Sequence, residues 1–170
     1  MTRRLTFRLN WTWLLLLAAS QAGAQPATVV LPNAADVISL SAEPASRSLK
    51  VLITGVVTSA DPALKGRFFF QDKTAGVFVD NVGGVRPDPG DLIEVTGITH
   101  PGAFAPIVTA PHVRKIGTAP LPPAQPVTGE RLASGVEDSQ RIEISGQVRD
   151  AHVDGTRLVA EIISDGFRFR

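Results

Sequence analysis

The chain contains no cysteine. That excludes disulfides, thiolate metal sites and cysteine nucleophiles, and leaves burial and sheet hydrogen bonding to hold the fold. It also lacks any apolar run approaching the roughly 20 residues of a typical membrane-spanning helix. The longest candidate is "WTWLLLLAA" at 11–19. Charge of one sign is missing too: 17 Lys and Arg face 16 Asp and Glu, for a net charge of +1. Such a balance denies the chain the dense positive field of a general nucleic-acid binder.

Catalytic signatures are equally scarce. No serine stands in a G-x-S-x-G turn. "NVGGV" at 81–85 is followed by Arg-Pro-Asp-Pro, which cannot open a phosphate-cradling helix. His100, His112 and His152 are scattered, with no H-x-x-x-H pair and no carboxylate–histidine cluster. Glu94 and Glu143 fit the solvent faces of strands, and Glu137-Asp138 fall in a linker. The chain therefore reads as non-catalytic, with no metal and no cofactor expected.

What is present begins with an export signal. Arg3, Arg4 and Arg8 precede the short apolar stretch, and "AGA" at 22–24 offers a small-residue cleavage site. These are the three parts of a secretory signal peptide over residues 1–24, and the residues after Arg3-Arg4 fit ordinary secretion better than twin-arginine export. Cleavage removes three arginines and no acid, taking the net charge from +1 to −2. An exported, periplasmic or extracytoplasmic location follows as an expectation, with contact to a membrane only through that signal or a further downstream segment.

Residues 25–48 read as a leader, in which "AADVISLSA" is either a short helix or an edge strand. From Lys50 the pattern turns to β. "KVLITGVVTS", "RFFFQD", "GVFVDN" and "DLIEVTGIT" are strands rich in branched and aromatic residues, and "IVTAPHVRKIG" is one broken strand or two short ones. Gly55 and Gly97 lie inside two of them, where glycine marks the bulge or bend that curls a sheet. The pattern predicts an all-β fold, a small five-stranded OB-like barrel over 49–117, with a β-sandwich as the alternative. "TAPLPPAQPV" opens a proline-rich linker over 118–140 that holds a brief helix.

At residue 141 the pattern restarts. "RIEISGQVRD" matches "KVLITGVVTS" at an offset of 91, pairing Gly146 with Gly55. Ile142, Ile144, Gly146 and Val148 share one face of an alternating strand. Residues 141–170 thus read as a truncated second copy of the unit, and the chain as a fragment of a longer one.

Three phenylalanines stand side by side at 68–70. With Lys73–Gly76 as the hairpin loop, Phe70 pairs with Val79 and Phe69 with Asp80. Alternation then puts Phe68 and Phe70 in the core, and Phe69 and Phe78 on the outer face where OB barrels hold ligands. These two are either binding aromatics or are covered by the leader, a loop or the second unit. Phe104, in the stiff loop "HPGAFAP", is either a packed plug at the barrel end or a third ligand contact. Basic Lys65, Arg67 and Lys73 are offset by Asp61, Asp72 and Asp80. That mixture fits a small polar ligand or a protein partner and argues against nucleic acid as one.

The segments "ITGVVTSAD" (53–61), "RFFFQDKTAGVFVD" (67–80), "PGDLIEVTG" (89–97) and "HPGAFAPIV" (100–108) resemble those of exported bacterial OB-fold domains. "APLPPAQPVTGERLASGVEDSQRIEISGQV" (119–148) resembles the link into a second such module. Domains of that family stand at the extracytoplasmic N-terminal end of membrane sensor histidine kinases and related signalling proteins, and relatives accompany secreted nucleases. The resemblance implies a sensory binding module in signal transduction. The alternatives are an exported nucleic-acid-binding module, or a spacer or assembly domain without a ligand.

Overall fold

The computed structural model describes residues 29–155 and 157–170. The expected signal peptide lies outside them. A short strand, β1 (Val30–Leu31), runs parallel to the start of the long strand β2 (Lys50–Ser59). Between them are two single-turn helices, α1 (Ala34–Ile38) and α2 (Ala42–Ala45). The stretch is more than a leader, because Ala34, Val37 and Ala45 are fully buried and the first two belong to the hydrophobic core. Thr99 fastens this cap to the barrel: its hydroxyl donates to the Ala45 carbonyl at 2.8 Å and accepts from the Leu49 N–H at 3.0 Å.

After β2 come β3 (Phe68–Gln71), β4 (Gly76–Val79), β5 (Asp91–His100) and β6 (Ile107–Thr118). The ladder runs β2-β3-β4-β6-β5 and returns from β5 to β2, so the five strands form a closed ring. All pairs in the ring are antiparallel except β4–β6, which is parallel and joined at Val79 and Val108, where the Asp80 N–H donates to the Val108 carbonyl at 2.9 Å. Closure removes the sheet's free edges. This is an all-β fold built on an OB-like barrel, as the strand pattern predicts. "IVTAPHVRKIG" is continuous in β6, which absorbs Pro111 and the left-handed Ala110 (φ 46°) in a bulge opposite Gly97.

Gly55 keeps β2 close to its neighbour: a Cβ there would sit 2.7 Å from the Gln71 carbonyl oxygen. Phe68 and Phe70 fill the interior with no exposure, packed edge to face at 6.1 Å between centroids, and share one buried cluster with Ile53, Val57, Val77 and Ile93. The hairpin register departs from expectation. Phe70 pairs with Val77 and Phe69 with Phe78, because the loop is Asp72–Ala75 and Gly76 already belongs to β4. Asp72 sets that loop: its carboxylate accepts from the Thr74 and Ala75 N–H groups, and its own N–H donates to the Ala75 carbonyl. A shift of two residues leaves every side chain on its expected face.

The second unit repeats the entry of the first. β7 (Gln125–Val127) runs parallel to β8 (Ile142–Ile144), with α3 (Gly129–Ala133) between them, as α1 lies between β1 and β2. β9 (Gln147–Asp154), β10 (Arg157–Ser164) and β11 (Phe167–Phe169) follow as an antiparallel three-stranded sheet. Two details show that this is one unit used twice. Asn33 caps α1 through the Asp36 N–H, and Ala34 N–H is held by Asp72 at 2.9 Å; Thr128 caps α3 through the Arg131 N–H, and Gly129 N–H is held by Asp165 at 2.7 Å. Gly146 likewise occupies the setting of Gly55, since a Cβ there would sit 2.5 Å from the Ile163 carbonyl oxygen. The alternating strand expected over 141–150 is interrupted at Ser145-Gly146. In β2 that stretch is held by β5 on its far edge, and among the described residues no strand plays that part for the second unit.

Candidate functional site

The β3–β4 hairpin carries the first wall of the site. Phe69 and Phe78 stand directly opposite each other on its outer face, half-buried, with rings tilted at 59° and centroids 4.9 Å apart. Beside them Arg67 Nε donates to Asp80 Oδ1 at 2.7 Å, a partly exposed pair that neutralises both charges. Phe104 lies in the loop between β5 and β6 and is 76% exposed, so the expected packed plug is not formed. Its ring faces Gly135, whose backbone is left-handed (φ 75°) and where any Cβ would collide with the ring.

Phe69 and Phe104 line one cleft of about 510 Å³, together with Thr58 and Ser59 at the end of β2. Phe78 supports Phe69 from the side and is not among the lining residues. The opposite wall is the segment from Leu132 to Ile142, which leads out of α3 into β8. Tight contacts seat this segment on the first barrel. The Arg141 N–H donates to Gln71 Oε1 at 3.0 Å, and Gly76 lies so close to the Ser139 carbonyl that a Cβ there would overlap it.

The polar groups of the cleft belong to that second wall. Glu137 is 9% exposed, ion-paired to Arg131 and hydrogen-bonded by Gln140 Nε2 at 3.1 Å. Asp138 accepts from the Ser139 hydroxyl, and the Arg141 guanidinium donates to the Pro122 carbonyl at 2.7 Å. The cleft thus offers two aromatic faces and a rim of mixed sign, which suits stacking and hydrogen bonding more than attraction of a polyanion. Reading Glu137-Asp138 as linker residues missed this wall. The feature that marks it is the parallel β7–β8 pair with α3 between, which follows the order of β1, α1 and β2.

Three carboxylates have depressed pKa values, and none lies in the cleft. Burial pushes Asp72 up, but the Thr74 hydroxyl and the N–H groups of Ala34, Ala75 and Thr74 together hold it below its ordinary value. Asp61 is lowered by Arg157, which reaches it from β10 at 2.7 Å. Asp91 is lowered by Lys115 at 2.5 Å. Each is explained by its structural partners. Among the described residues no group of three His, Asp or Glu side chains is placed to hold a metal ion. No helix among them is long and apolar enough to cross a membrane.

Fold and site together define a barrel module with an aromatic cleft. No protein-family model matches the chain, and no curated protein matches it significantly.

Proposed function

We propose that the chain is a non-catalytic, exported binding module, the sensory part of a bacterial signal-transduction protein, whose ligand enters the cleft between Phe69 and Phe104. The observation that carries the reading is the convergence of those two aromatics at the β3–β4 face and the β5–β6 loop. OB barrels bind extended polar ligands at the corresponding strands and loop. A neutral or zwitterionic molecule with one apolar face, such as a sugar ring or a short peptide, fits two aromatic walls and a rim holding Glu137, Asp138 and Arg141. Export rests on residues 1–24, and the signalling role rests on resemblance. An exported single-strand-binding module is the second reading, favoured by the same aromatic surface and opposed by the rim carboxylates.

The test is titration of labelled protein with neutral disaccharides, tripeptides and a ten-nucleotide oligothymidylate at low salt, followed by NMR. We expect Phe104→Ala to weaken binding of whichever small probe responds by about tenfold or more, in line with roughly 1–3 kcal/mol per stacked ring. Its thermal stability should stay near wild type, because the ring is mostly exposed. Salt-sensitive oligothymidylate binding with no response to the small probes would transfer the assignment to the second reading.

A further inference from the structure

The ring of strands closes between β4 and β6 through one residue pair, Val79 and Val108. β4 ends there, while β6 continues to Thr118. The loop of residues 80–90, which leads from β4 to β5, is tied along β6 at its two ends only. The Asp80 N–H donates to the Val108 carbonyl, and the Ala119 N–H donates to the Gly90 carbonyl, each at 2.9 Å. Among the described residues no backbone hydrogen bond joins loop and strand between those ties. A window of about 340 Å³ opens there, and its lining reaches the core at fully buried Ile93. Pro87, Pro111 and Val113 add to the apolar lining. The loop wall is preformed, because buried Asn81 pins it: the side-chain amide donates to the Gly66 and Val85 carbonyls at 3.3 and 3.0 Å.

The titratable groups of the window are Arg86, Asp91, His112 and Lys115. Asp91 and Lys115 neutralise each other at 2.5 Å, and the Asp88 N–H donates to the second Asp91 oxygen at 3.2 Å. That leaves Arg86. Its Nη1 donates to the Ala60 carbonyl at 3.1 Å, and among the described residues it has no ion-pair partner. Asp61 is within its electrostatic reach but is paired to Arg157 at 2.7 Å. An unpaired guanidinium at the mouth of an apolar slot suits one carboxylate on an apolar body. We propose that the window binds a small monocarboxylate, an aromatic or branched acid whose carboxylate pairs with Arg86 and whose hydrocarbon part lies against Ile93 and Val113. A dianion such as phosphate fits worse, because one free cation does not balance it and Asp91 repels it from within the same window. The site shares no lining residue with the cleft of Phe69 and Phe104.

Titration of the labelled full chain with sodium benzoate at constant ionic strength, followed by NMR, tests this. Amides of Gly84, Val85, Arg86, Val113 and Lys115 should shift together and saturate, with a Kd of about 1–10 mM for so small a ligand. Neutral benzamide should bind about tenfold more weakly, the loss that goes with a charge-assisted hydrogen bond. Arg86→Gln should weaken benzoate by the same factor. Arg114→Gln, at a residue paired to Glu94 and outside the window, should change nothing. Phe104→Ala should also leave benzoate binding unchanged, which separates this site from the cleft. If Arg86→Gln lowers thermal stability, the contrast between benzoate and benzamide on the wild-type chain decides the charge requirement without it. No saturating shift at these amides, equal binding of benzamide and benzoate, tighter binding of inorganic phosphate, or shifts confined to the cleft would overturn the proposal.

Discussion

At the scale of single residues, neighbours in the chain have opposite duties. Phe68 and Phe70 are fully buried and Phe69 between them is not. Alternation alone made that division legible, and it survived a two-residue error in register because an even slip preserves faces. Phe70→Ala should cost about 3–5 kcal/mol in chemical denaturation, the range for emptying a buried aromatic site. Phe69→Ala should cost far less, and an equal loss would place Phe69 in the core. Asp72 was less legible, because its partner Ala34 is 38 residues away and no local pattern announces the contact. Its depressed pKa gives a signed expectation. A carboxylate lowered on folding contributes stability above its ordinary value of 3.8 that is lost as the pH falls through the folded value. Asp72→Asn should therefore show a shallower loss of stability between about pH 4 and pH 2 than wild type, measured by thermal melts across that range. A parallel pair of curves would contradict this.

At the scale of elements, the repeat explains what the linker region does. Proline-rich composition predicted an extended connection over 118–140, and the helix within it was expected, but its seating on the first barrel was not. That seating depends on Gly76 and Ser139, residues far apart in sequence whose contact leaves no trace in composition. Gly76 has no special backbone conformation, so the obstacle to a side chain there is space alone. Gly76→Ala should loosen the segment from Gly135 to Arg141, seen as faster hydrogen exchange of the Arg141 amide, which donates to Gln71. The β4–β6 joint should exchange no faster than in wild type. If the segment's protection is unchanged, the contact does not hold the second wall of the cleft. Gly146→Ala should disturb β9–β10 in the same manner that Gly55→Ala disturbs β2–β3, because both glycines face a neighbouring carbonyl.

At the scale of the whole molecule, two copies of one folding unit meet different ends. The first closes through β5 and β6 and buries its aromatic interior; among the described residues the second has three strands after its entry segment and no counterpart of β5 or β6. The cleft lies where the entry segment of the second unit rests on the first, so the site belongs to neither unit alone. The sequence carried the barrel and the repeat through strand periodicity and matched glycines. The composite nature of the site is a tertiary property, set by where α3 and its exit segment land, and periodicity does not encode it.

The measurement that bears most directly on the proposed site is chemical-shift mapping of a bound small probe on the labelled chain. The account predicts that amides of Phe69, of the Phe104 loop and of Gly135–Ile142 shift together and that Phe104→Ala removes the response. Shifts confined to other surfaces, or no response to any probe class at millimolar concentration, would contradict it.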